Sequence, residues 1–134
     1  MSKKEFPGYI RILIFILILL VSLLSIKKKN KRNNELIERG RYAIAETKGW
    51  IHNHRSSGFD LDYAFKFKGF EYRRFISLSS LSRVKTKGAK YIVLFDPTNP
   101  KNSKLLLDKE VLRCEYENYA DTGWIELPSF VILK

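Results

Sequence analysis

His52 and His54, followed by Asp60 and Asp62, are the side chains of this sequence best suited to hold a metal ion. On a strand, residues two apart share a face, so the two imidazoles point the same way. No Cys, Glu or third His stands nearby at a ligand spacing, and a tetrahedral site needs more than two donors. The expectation is therefore a pair of surface histidines and no bound metal. Cys114 stands beside Arg113, a neighbour that activates thiols, but no base partner accompanies it. The sequence contains no nucleophile–base pair, phosphate loop or paired-carboxylate cleft, so neither an enzyme nor a cofactor is expected.

Two other segments invite a binding role. "KGFEYRRF" (Lys68 to Phe75) approaches the RNA-recognition pattern through Lys68, Gly69, Phe70 and Phe75. Glu71 stands where that pattern needs a small residue and repels phosphate, and Arg73 replaces an apolar position. "DPTNPKNS" (Asp96 to Ser103) reads more simply as a rigid turn. Pro97 and Pro100 stop strand pairing, and Asp96 and Asn99 cap the local backbone.

The net charge of +11 is unevenly spread: +7 over residues 1–34, +9 from Arg39 to Lys104, and −4 from Asp108 to Glu126. A basic chain of this kind ordinarily suggests nucleic acid. Here five of the bases, Lys27, Lys28, Lys29, Lys31 and Arg32, follow directly on an apolar run, where base serves a membrane. Ile12 to Ile26 contains no charge and only Ser22 and Ser25 as polar residues. With Tyr9 and snorkelling lysines at its ends, residues 9–26 approach the roughly 20 residues that cross a bilayer. The run is apolar on every face, so the small remainder is unable to bury it. No small-residue cleavage site follows it, which argues against an export signal.

The organisation expected is a short segment 1–8, a transmembrane helix 9–26, a basic helical stalk 27–40 and a β domain 41–134. One helix from about Pro7 to Arg39 is predicted, with Gly40 as its C′ residue. More Lys/Arg follows the span than precedes it (Lys3, Lys4, Arg11), which places the C-terminal domain in the cytoplasm.

After Arg41 the periodicity becomes two. "FDLDYAFKF" alternates Phe59, Leu61, Tyr63, Phe65 and Phe67 with Asp60, Asp62 and Lys66. Lys68-Gly69 makes a tight turn, and "FEYRRFISL" returns with Phe70, Tyr72 and Ile76 inward. A first strand covers "RYAIAETKGWIHNH", bulged at Gly49. "AKYIVLFDP", "SKLLLD" and "EVLRCEYE" supply further strands, and Ser77 to Lys87 has room for a helical turn. The expected core holds Phe59, Leu61, Tyr63, Phe65, Phe67, Tyr72, Val93 and Phe95. The tail from Tyr116 is expected either to lie across the barrel through Trp124 and Phe130 or to be mobile. The fold class expected is a transmembrane helix plus an all-β antiparallel barrel or sandwich, SH3-like or OB-like.

"GAKYIVLFDPTNPKNSKLLLD" (Gly88 to Asp108) resembles the hallmark Y-x-V-x-[YF]-x-P-x-N-P-x-N-S of a group of small uncharacterised bacterial membrane proteins. "GWIHNHRSSGFDLDYAFKFKGFEYRR" is similar to the first hairpins of that group. The resemblance covers about residues 40–108, with a one-residue difference in spacing at the start of the hallmark. It implies a bacterial inner-membrane setting and a β domain of unknown function, and it carries no functional residues over. The function expected is a non-enzymatic interaction protein, with the bilayer and an unknown protein as partners. Anionic headgroups are expected to meet Lys27, Lys28, Lys29, Lys31, Arg32, Arg55, Arg73, Arg74, Lys85 and Lys87. Specific nucleic-acid recognition is not expected, although a membrane-tethered nucleic-acid module and a periplasmic envelope module stay open as other readings.

Overall fold

A computed structural model describes residues 7–114, 122–129 and 131–134, with the side chains of Arg113 and Cys114 excepted. Helix α1 (Gly8–Arg39) contains the whole apolar run. It is long and apolar enough to cross a membrane, and none of its apolar window is buried. Its two serines do not break the apolar character: Ser22 Oγ donates to the Ile18 carbonyl at 2.9 Å and Ser25 Oγ to Val21 at 3.0 Å. Each hydroxyl is thus satisfied within its own helix. The helix begins one residue after Pro7, whose carbonyl accepts the Ile10 N–H at 2.9 Å. It ends where expected, with the Gly40 N–H on the Leu36 carbonyl at 2.9 Å.

The chain divides into two compact units, residues 1–34 and 35–134, so the last helical turn belongs with the sheet. Leu36 on that turn is buried. Strands β1 (Arg41–His52), β2 (Phe59–Phe67), β3 (Phe70–Leu78), β4 (Lys87–Asp96), β5 (Asn99–Cys114) and β6 (Val131–Leu133) follow. They form one antiparallel sheet in the order β3-β2-β1-β4-β5-β6. The sheet is not closed; β3 and β6 are its ends.

It is nevertheless strongly curled. In a flat sheet β2 and β5, separated by two strands, stand about 14 Å apart with parallel side chains. Yet Tyr63 Oη of β2 and Ser103 Oγ of β5 lie 2.9 Å apart. The curl wraps one face around the core, which contains Ala43, Ala45, Leu61, Tyr63, Phe65, Phe67, Ala89, Tyr91, Val93, Phe95 and Leu105. Phe95 is its hub, with ring centroids 5.1 Å from Phe65 and 4.9 Å from Phe67. Ala45, opposite Phe65, is small and leaves that ring the volume it needs.

Two local devices shape the sheet. Lys68 and Gly69 both have positive φ (50° and 77°), the geometry of a type I′ turn, and hold Phe67 opposite Phe70. Gly49, at φ 141°, shifts β1 by one residue against β2; the irregular pairing of β1 with β4 lies earlier, between Glu46 and Lys48, where β4 carries the extra residue. Before the bulge Ala43, Ala45 and Thr47 face the core. After it, Trp50 and His52 stand opposite Leu61 and Phe59, so the inward parity of β1 has changed.

Several expectations need correction. Phe70 shares the parity of Tyr72 but lies at the hairpin end, beyond the curl, and is 69% exposed. Phe59 is half-buried for the same reason at the other end. "SKLLLD" and "EVLRCEYE" do not give two strands. Their described residues form one strand, β5, in which Leu107, Asp108 and Lys109 lie as an irregularity between the pairs Ile92–Leu106 and Tyr91–Glu110. Ser79 to Thr86 holds a turn at Ser82-Arg83, not a helix. In the tail, Phe130 lies outside the described residues. Trp124 pairs with Tyr42 through both backbone groups, at 2.7 and 2.8 Å. It occupies the stretch of β1 that β2 is too short to reach.

Candidate functional site

Lys27, Lys28, Lys29, Lys31 and Arg32 extend from the apolar run on α1 and are all exposed. In the β unit the expected bases divide by what holds them. Arg73 on β3 is paired with Asp62 on β2. One Asp62 oxygen accepts from the guanidinium; the other is buried with no hydrogen-bond partner among the described residues. Removing Arg73 would leave a buried, uncompensated carboxylate, a costly state, so this arginine is structural. Lys85 is likewise tied to Glu110 at 2.5 Å, and Lys134 adds a second contact at 3.8 Å. Arg55, Arg74 and Lys87 are exposed and form no ion pair among the described residues.

Glu110 therefore sits in a cationic clasp. The hydrogen bond from Lys85, helped by the charges of Lys85 and Lys134, holds its carboxyl below the ordinary range against an opposing desolvation. Burial pushes Asp96 up, but the Thr98 hydroxyl and N–H, the Asn99 N–H and the Arg39 charge together outweigh it, and its carboxyl is also lowered. The Thr98 contacts are 2.7 and 2.8 Å, so Asp96 caps the Pro97-Thr98 turn. A folded-state value below the unfolded one gives stability that is present above the unfolded value and lost as pH falls through the folded one. The β unit should accordingly melt at a constant temperature from pH 7 to about 5 and at falling temperatures below that. Lys85→Gln should lower the plateau and shrink the acid-dependent part of the loss. A melting temperature rising on acidification would contradict both carboxylate environments.

The histidine–aspartate cluster is not assembled. His52 stands opposite Phe59, on the other face of the hairpin from Asp60 and Asp62. Asp60 is occupied by Asn53 Nδ2 at 3.3 Å and Ser77 Oγ at 2.6 Å. His52 and His54 instead continue an aromatic row: their rings are 5.5 Å apart, His52 lies 5.6 Å from Phe59, and Trp50 lies 5.2 Å from Phe59. Among the described residues no group of three His, Cys, Asp or Glu is placed to hold a metal. The Cys114 side chain lies outside the described residues. In "KGFEYRRF", Tyr72 packs toward the core beside Phe65 (5.7 Å), while Phe75 falls on the opposite face, 57% exposed. The aromatics are thus divided between faces and form no single stacking platform.

Sequence reasoning did not single out the exposed pair Trp50-Ile51. The signal was present in Gly49: counting the alternation onward from a bulge, and not through it, puts these two side chains at the open end of the sheet. Compared with family models, curated protein sequences and solved structures, the chain matches none of them.

Proposed function

We propose that this chain is a single-pass protein of the bacterial inner membrane whose β unit, on the cytoplasmic side, is a non-enzymatic interaction module. The observation that carries the reading is α1: a fully exposed apolar stretch with internally satisfied serines, followed at once by five bases. Leaving that stretch in water is unfavourable by roughly 25 cal/mol per Å² of apolar surface, and a bilayer removes the cost. The resemblance of Gly88 to Asp108 to small bacterial membrane proteins supports the same setting. The finer fold type, an incompletely closed SH3-like or OB-like barrel, is part of the proposal and is supported by the Tyr63–Ser103 contact across two strands. Anionic headgroups are the lipid partners proposed, through Lys27, Lys28, Lys29, Lys31 and Arg32 together with Arg55, Arg74 and Lys87, which form no ion pair among the described residues.

The test is extraction of the full chain from bacterial membranes. It should remain with the membrane in alkaline carbonate and move to the supernatant only with detergent. A variant lacking residues 9–26 should be soluble. Release of the full chain by carbonate would overturn the anchor.

A further inference from the structure

Phe59 at the start of β2 pairs with His52 of β1 and with Leu78 of β3. The β1–β2 and β3–β4 connections therefore lie at the same end of the sheet, the end away from Arg41. That end gathers apolar and basic side chains, together with Asp60, which stands opposite Ile51 and accepts hydrogen bonds from Asn53 and Ser77. Trp50 is 47% exposed and Ile51 58% exposed, on opposite faces just past the Gly49 bulge. Around them stand Arg55, Arg83 and Lys87, exposed and without an ion pair among the described residues. The stretch from Ser77 to Phe95, which forms the β3–β4 side of this end, contains no acid.

The end is also firmly built. The Asn53 N–H donates to the Gly58 carbonyl at 3.0 Å, and the Arg55 N–H to Asn53 Oδ1 at 3.0 Å. On the other connection, buried Thr47 Oγ1 lies 3.1 Å from the Lys85 carbonyl, and the Lys85 N–H donates to Tyr91 Oη at 3.2 Å. Trp50 is braced edge-on against Phe59. The exposed apolar pair is thus held in place before anything binds it, which lowers the ordering cost of binding.

Indole suits the headgroup level of a bilayer, an aliphatic side chain suits the acyl boundary, and unpaired bases suit anionic phosphates. Ile51 separates this chemistry from nucleic-acid stacking, which employs flat rings and gains nothing from an isolated aliphatic. We infer that Trp50 and Ile51 insert into the headgroup region of the anionic bilayer that holds α1, with Arg55, Arg83 and Lys87 on the lipid phosphates. This rests on the membrane reading above.

The test uses the full chain with Trp124→Phe, which leaves Trp50 as the sole tryptophan, reconstituted in nanodiscs of phosphatidylcholine with or without phosphatidylglycerol. Co-elution with the discs checks the anchor separately; its failure would overturn the membrane reading, and the inference with it. In anionic discs Trp50 emission should shift to the blue, be quenched by spin-labelled lipid and be shielded from aqueous iodide. In neutral discs it should stay water-like. Ile51→Asn should reduce the lipid quenching, and Arg55→Gln with Arg83→Gln and Lys87→Gln should abolish the difference between discs. Should Trp124→Phe unfold the sheet, the difference spectrum between the native chain and Trp50→Phe gives the same readout. Co-elution with equal iodide access in both discs would overturn the inference and leave the anchor standing. Quenching of Trp50 by a single-stranded oligonucleotide at physiological salt, without lipid quenching, would overturn it in favour of nucleic acid.

Discussion

Phe65→Ala should lower the unfolding free energy of the β unit by about 3–5 kcal/mol. Phe65 is 2% exposed and lies opposite Ala45 on one side and Tyr72 on the other, with the Phe95 ring 5.1 Å away. Its neighbours are themselves fixed by strand pairing, so they are poorly able to collapse into the vacated volume, and a cavity persists. A domain of this size has about 5–15 kcal/mol in total, so the substitution removes a large share of it. Urea unfolding of residues 35–134 measures the effect. Phe75→Ala, on the outer face and 57% exposed, should change stability by only about 0.5 kcal/mol. A neutral Phe65→Ala beside a costly Phe75→Ala would place the core on the wrong face of the sheet.

Reporter fusions at Lys134 should be active as fluorescent protein and inactive as alkaline phosphatase. The margin rests on Lys27, Lys28, Lys29, Lys31 and Arg32 after the span against Lys3, Lys4 and Arg11 before it. Changing Lys27, Lys28 and Lys29 to Asn reverses the count at close range, and phosphatase activity should then appear. Strong phosphatase activity from the unaltered chain would put the β unit outside.

What was legible in the sequence was whatever short-range periodicity encodes. The alternation from Phe59 to Phe67 gave β2 and its inward face, and Lys68-Gly69 gave the hairpin. The end of α1 at Arg39 and the irregularity at Gly49 were equally local. What failed depended on register between distant segments. "YIVLF" does not alternate, because Ile92 is buried on the face opposite Val93. Nothing local shows that β5 absorbs Asp108 and Lys109 in a bulge and continues. Nor does anything local link Lys85 to Glu110, a pair that follows from strand order alone, whereas Arg73 and Asp62 meet across the β2–β3 hairpin. Of the candidate site, the basic residues were legible as composition, but their division into tied and untied sets was not.

The Tyr42–Trp124 bridge sets an order of events during synthesis. The first four residues of β1, among the earliest of the β unit to leave the ribosome, have no register partner on β2, and Tyr42 among them gains its backbone partner on that side only when Trp124 has emerged. β4, the other neighbour of β1, also arrives late, and pairings between segments so distant in sequence are slow to form. The apolar helix, by contrast, is complete after the first third of the chain. The start of β1 therefore stays incompletely paired until the segment that carries Trp124 is made.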